Sequence, residues 1–276
     1  MKIIQLLAMS LLLAALVSSA ALAYSIDWYS INSGGGVSTS ASYSVNATIG
    51  QPVAGFASNT SFLHWIGFWA GDVPTPTVVA SIEVAKQMAN GVYVSLAGRL
   101  ATTSASDFTN FFYVEERDRY SGIRVAAPPA GISGLARGSV VNVIGTMDTI
   151  ATGERQLTGP IVIVVYSDKP LGPLGMTNKS LGGGNLPAGP AVKNGIGLNN
   201  VGLLVTTWGY VSAISGSDML ITDGSGDDVR VNVAGLASLP EEGDYVTVIG
   251  ISSVTTSGPD TLPYILPRTR LDILSY

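Results

Sequence analysis

Apolar and polar residues alternate with a period of two along much of the chain, the spacing of half-buried strands. Val92, Val94 and Leu96 fall on one face, as do Val229, Val231 and Val233, with polar residues between them. The polar clusters 117–122 (RDRYSG) and 223–228 (DGSGDD) read as turns joining a second to a third strand. Between the third and fourth strands lie 128–138 and 234–243, each with room for one helical turn. Three strands, a short helical crossing and two more strands is the plan of a five-stranded Greek-key barrel.

That plan occurs twice. Residues 140–145 (VVNVIG) match 245–250 (YVTVIG), each preceded by a turn glycine, Gly138 or Gly243. Upstream, 94–98 (VSLAG) match 205–209 (VTTWG), and 122–125 (GIRV) match 228–231 (DVRV). Recurrence of several elements in the same order points to two copies of one fold. The expected class is therefore all-β: two five-stranded Greek-key barrels over 83–167 and 199–276, preceded by a small β-hairpin module over 24–71. A proline-containing linker (72–82) and a Gly/Pro-rich connector (168–198) separate them. Leu171, Leu174, Met176, Leu181 and Leu186 make the connector too apolar for a free tether, so it is expected to pack.

At the start, Met1-Lys2, an apolar run from Ile3 to Val17 and a small-residue stretch ending at Ala23 read as a signal peptide over 1–23, cleaved after Ala23. The run is shorter than the roughly 20 apolar residues that a membrane span needs, and no later segment reads as one. The expectation is a secreted or extracytoplasmic protein. Without cysteine there is no disulfide, thiol nucleophile or thiolate metal site, and one histidine, His64, makes no metal cluster. The net charge is −5; residues 24–82 carry no Lys or Arg, and 199–276 set three basic against nine acidic side chains. A nucleic-acid binder normally shows the opposite balance, which makes nucleic acid an unfavoured partner.

Both repeats resemble OB-fold barrels of secreted bacterial tandem-barrel proteins, and the motifs 33–36 (SGGG), 47–51 (ATIGQ) and 67–69 (GFW) resemble a short N-terminal strand element of secreted modular proteins. The resemblance implies ligand binding on the face of strands two and three of a barrel. There the first repeat places Phe111, Tyr113, Arg117, Tyr120 and Arg124, the chain's mixture of aromatics and arginines. Glu115, Glu116 and Asp118 counter those arginines. Trp65 and Trp69 of the aromatic-rich first module join the candidate ligand-binding residues, since exposed rings stack on sugars or form assembly contacts.

Asp223, Ser225, Asp227 and Asp228 offer oxygens at the spacing that calcium uses, although the plainer reading is a hairpin turn and no cofactor is expected. The acidic pairs Glu115-Glu116 and Glu241-Glu242 point to opposite strand faces and cannot flank one glycosidic bond. No catalytic residue is assigned. The sequence thus reads as a non-catalytic binding or structural protein of the cell surface or extracellular space, with carbohydrate as the preferred ligand. The alternatives are an assembly subunit docking on another surface protein through the aromatic module, and oligonucleotide binding by the first barrel.

Overall fold

The computed structural model describes residues 34–39, 44–50, 55–58, 63–66, 75–184, 192–226 and 228–276. The chain divides into two compact units, Met1–Val73 and Pro74–Tyr276. In the first unit β1 (Gly34–Thr39) pairs antiparallel with β2 (Ser44–Ile49), and β3 (Gly55–Ser58) with β4 (Leu63–Ile66). The signal-peptide expectation lies outside the described residues. Among those described, no helix is long and apolar enough to cross a membrane.

The second unit contains two ring-like sheets of the same order. The first has β6 (Tyr93–Ala101), β7 (Phe112–Glu115), β8 (Gly122–Ala126), β9 (Ser139–Thr149) and β10 (Arg155–Ser167), paired round as β6-β7-β8-β10-β9-β6, with the short β5 (Thr77–Val78) on the outside. The second has β12 (Leu204–Ser215), β13 (Asp218–Thr222), β14 (Val229–Asn232), β15 (Tyr245–Ser257) and β16 (Asp260–Leu266), paired as β12-β13-β14-β16-β15-β12, flanked by β11 (Leu174–Gly175) and β17 (Ile273–Ser275). In both, the third and fifth strands run parallel. The repeat seen in the sequence is thus a repeat of strand order.

The expectation of two barrels is corrected: one ring is a closed five-stranded barrel, and the second is a ring-like sheet that is not a barrel. The seams of both rings are narrow. β6 meets β7 only at Leu100–Glu115 and Ala101–Val114, and β14 meets β16 only at Arg230–Tyr264 and Val231–Ile265.

Each ring encloses its own core, built from the inward positions of every strand. Val94, Leu96, Phe112, Val114, Ile123, Val125, Val143 and Leu157 fill the first. Val205, Val211, Met219, Ile221, Val229, Val231, Val246, Val248 and Ile265 fill the second. The sequence pattern contains no signal for α1 (Ile82–Gln87), a helix too short to display a 3.6-residue period. Ser81 caps it by accepting the Val84 amide at 3.1 Å, and Ile82 and Ala85 enter the first core. Of the two expected helical crossings, the first holds a 3-10 turn at Pro129–Gly131, while 234–243 holds turns only.

The described part of the connector packs, while Leu186 lies outside the described residues. Leu181 is buried in the second core, with Leu174 and Met176 against it. A methyl group on Gly183 would stand 2.1 Å from the Leu198 carbonyl oxygen, and one on Gly195 2.1 Å from that of Gly183. Glycine at both positions lets the two arms of the connector touch backbone to backbone.

Candidate ligand-binding surface

In β7, Phe112 and Val114 point into the first core, so period two turns Tyr113 and Glu115 outward. That outer face is covered by the second sheet. Tyr113 is 0% exposed and packs with Leu204, Ile251 and Leu266, flanked by Phe108, Phe111, Ile249 and Tyr264. Phe108 and Phe111 stack at 4.8 Å, and Phe111 meets Tyr113 edge-on at 5.8 Å. The Arg124 guanidinium lies 3.6 Å over the Phe111 ring. Of the expected ligand residues, Tyr113 is therefore buried in an aromatic contact between the sheets, Phe111 is half-buried at its edge, and Arg124 lies over Phe111. Tyr113 in particular is sealed from any ligand.

The contact is also polar and buried. The Tyr113 hydroxyl donates to Glu154 at 2.8 Å, and the other Glu154 oxygen accepts from the Ser253 hydroxyl at 2.8 Å, across to the second sheet. Burial pushes the Glu154 carboxyl and the Tyr113 phenol above their ordinary values. Lys86 on α1 is buried and donates to the Val201 carbonyl at 2.9 Å; burial lowers its ammonium to about 8, against the pull of Glu154. Glu115 accepts from the Leu204 amide of the second sheet and from Arg119 Nε at 2.8 Å. Burial raises its carboxyl to about 7, against the attraction of Arg119. Beside it the backbones touch: a methyl on Gly122 would lie 2.3 Å from the Gly202 carbonyl oxygen, and one on Gly202 2.4 Å from that of Gly122.

The remaining expected residues are dispersed. Arg117 is exposed but held by Asp168 at 2.6 Å and by the Tyr166 hydroxyl at 2.8 Å. Tyr120 stands half exposed at the hairpin tip. The side chain of Trp65, on β4, and the whole of Trp69 and Asp227 lie outside the described residues.

The expected calcium ligands serve as local acceptors. Asp223 takes the Asn178 and Ser225 amides at 2.8 and 2.9 Å, Ser225 takes the Lys179 amide at 3.2 Å, and Asp228 takes the Ser212 hydroxyl at 3.2 Å. Slight burial would raise the Asp223 carboxyl, but the hydrogen bonds from Ser225 and Asn178 win and hold it low. These bonds pin the connector's turn at Asn178–Ser180 to the β13–β14 hairpin. Among the described residues no group of three or more His, Asp or Glu is placed to hold a metal ion.

A different surface carries exposed rings. The outward positions of β12 run Leu204, Thr206, Trp208 and Tyr210, and those of β15 run Ile251, Ile249, Thr247 and Tyr245 opposite them. Leu204, Ile249 and Ile251 belong to the contact with the first sheet, whereas beyond them Trp208 is 37% and Tyr210 58% exposed. Tyr245 packs against Tyr210 at 5.1 Å and 70°, and Tyr276, 78% exposed, follows at 6.4 Å and 51°. The interior contact thus continues into a ribbon of Trp208, Tyr210, Tyr245 and Tyr276, none of them charged. The sequence signal for it is two aromatics at alternate positions of β12, out of phase with buried Val205, Thr207 and Val211. A strand's solvent side ordinarily carries polar residues there.

No family model and no curated protein matches the chain. A solved structure of a murine DNA-binding protein bound to double-stranded DNA is similar over 63% of this chain and 91% of that one, with 12% identity and a TM-score of 0.33.

Proposed function

We propose that this is an exported, non-catalytic glycan-binding protein whose ligand lies along the aromatic ribbon of the second sheet. The carrying observation is the row Trp208–Tyr210–Tyr245–Tyr276, with Trp208, Tyr210 and Tyr276 exposed and Tyr245 half-buried between them, on a sheet face that should be polar. Sugar rings present apolar C–H faces edged by hydroxyls, and indole and phenol rings offer flat apolar faces with a polar edge. The tilts of 70° and 51° between successive tyrosines suit a single twisted chain better than a flat, crystalline array. The shared strand order supports reading the two sheets as copies of one plan, only one of them closed as a barrel, with the outer face of β7 in the first sheet used to hold its neighbour. Oligonucleotide binding at Phe111, Tyr113 and Arg124 is disfavoured, because Tyr113 is buried under the second sheet, Phe111 and Arg124 are half-buried against each other, and the second repeat is acidic.

Affinity electrophoresis through gels containing soluble polysaccharides tests this reading. Retardation by at least one neutral glucan or mannan is expected, and Trp208→Ala and Tyr210→Ala each weaken it about tenfold, as loss of a central aromatic contact does. Retention should be nearly the same at 50 mM and about 300 mM salt, whereas phosphate-driven binding would collapse over that range. Binding that survives both substitutions overturns the reading.

A further inference from the structure

A cleft of about 580 Å³ opens where the tip of the β7–β8 hairpin meets the connector. Leu174, Met176 and Leu203 line it from the side of the second core, while Ile196, Leu198 (59% exposed) and Tyr120 (49%) bring solvent-facing apolar surface to it.

The frame of the cleft is tied down from both sides. Arg119 bonds Glu115, the Gly172 carbonyl and the Leu204 carbonyl. Asn200 donates to the Ser180 carbonyl at 2.6 Å and to that of Leu198 at 3.3 Å, and accepts the Gly182 amide and the Ser252 hydroxyl, both at 2.8 Å. A cavity so fixed needs little ordering on binding.

Its chemistry selects the occupant. The lining cation, Arg119, is committed to three partners, so an anionic ligand finds no free counter-charge. One Asp118 oxygen accepts the Tyr120 amide at 3.0 Å, and the other meets no donor among the described residues. Thr177 and Ser180 add a hydroxyl pair 2.9 Å apart. The site therefore offers an apolar floor, one open carboxylate acceptor, two hydroxyls and an aromatic ring. A plain hexose could lay a C–H face on the Leu174–Met176–Leu203 floor but has no amide N–H for the open Asp118 oxygen and no methyl to fill the apolar end.

We propose that this cleft binds an N-acetylated amino sugar at the end of a glycan chain. The acetyl methyl covers the floor, the amide N–H donates to Asp118, and the ring packs on Tyr120. The proposal rests on the glycan reading above but uses none of the ribbon residues.

Calorimetric titration of the purified protein with N,N′-diacetylchitobiose, and with cellobiose as the partner lacking acetamido groups, decides it. Saturable binding of the acetylated disaccharide is expected, weakened at least about tenfold by Tyr120→Ala and by Leu198→Asp, while any cellobiose binding is indifferent to both substitutions. Asp118→Asn should weaken binding of the acetylated disaccharide several-fold. Leu198 is exposed, so Leu198→Asp keeps the fold, which unaltered thermal unfolding verifies. Cellobiose binding as strong as that of the acetylated probe and equally weakened by Tyr120→Ala and Leu198→Asp, no binding of the acetylated probe, or its indifference to both substitutions overturns the proposal. A failure of the ribbon reading looks different: polysaccharide retention then ignores Trp208→Ala, while this titration keeps its own outcome.

Discussion

Gly202→Ala is expected to lower stability by about 3–5 kcal/mol and the unfolding temperature by about 10 °C, as read by scanning calorimetry. Two costs coincide at this residue. Its φ is +95°, a region that side-chain-bearing residues rarely occupy. The new methyl would also stand 2.4 Å from the Gly122 carbonyl oxygen and 2.5 Å from its carbon. Both obstacles are backbone, so no rotamer change relieves them, and the two sheets must separate. Gly122→Ala meets the same obstacle from the other side, 2.3 Å from the Gly202 oxygen and 3.1 Å from Glu115 Cγ. Gly131→Ala is the control, because a methyl there meets nothing within 4 Å. If Gly202→Ala unfolds at the parental temperature, the sheets are not in contact as described.

Arg119→Ala should cost about 3–5 kcal/mol at pH 8, since it strands the buried Glu115 carboxylate without its cation. The loss should shrink at pH 5. In the parent, the Glu115 carboxyl is raised to about 7 in the fold against 4.5 in a free chain. The folded state therefore holds the proton more tightly, and Glu115's stabilising contribution is full below about 4.5 and fades as pH rises through about 7. Removing Arg119 raises that carboxyl further and extends the fading toward higher pH. Denaturant titrations at pH 5 and pH 8 should thus give a variant more pH-sensitive than its parent. Arg119 also adopts φ +64°, so Arg119→Gly separates the two causes: it relieves the backbone strain of alanine yet retains the pH dependence. An equal loss at both pH values would contradict the account of Glu115.

The internal repeat was legible because strand order, turn clusters and inward positions recur in the sequence, and the strand order they imply is the one both rings display. Phe112 and Val114 could be placed in a core for the same reason. What lands on the other side of β7 could not. Period two separates Tyr113 and Glu115 from Phe112 and Val114 but says nothing about a second sheet covering them. Glu115, Glu154 and Lys86 carried no sequence signal of burial, because charged residues ordinarily mark solvent; each is buried and bonds its own partner, Leu204, Ser253 or Val201. The connector's leucines announced packing, while the carbonyl contacts at Gly183 and Gly195 depend on atoms that the sequence does not distinguish from an ordinary flexible loop. Trp208 and Tyr210 were visible as aromatics in a strand. Their exposure followed only once Val205, Thr207 and Val211 were seen to face inward.

Hydroxyl-radical footprinting of the protein, free and saturated with a retained polysaccharide, locates the ligand on aromatic side chains. Protection of Trp208, Tyr210 and Tyr276 is expected, with Tyr113 unreactive in both states because it is already buried. Ligand protection confined to 108–124, with Trp208, Tyr210 and Tyr276 as reactive as before, would contradict it and return the binding face to the first sheet.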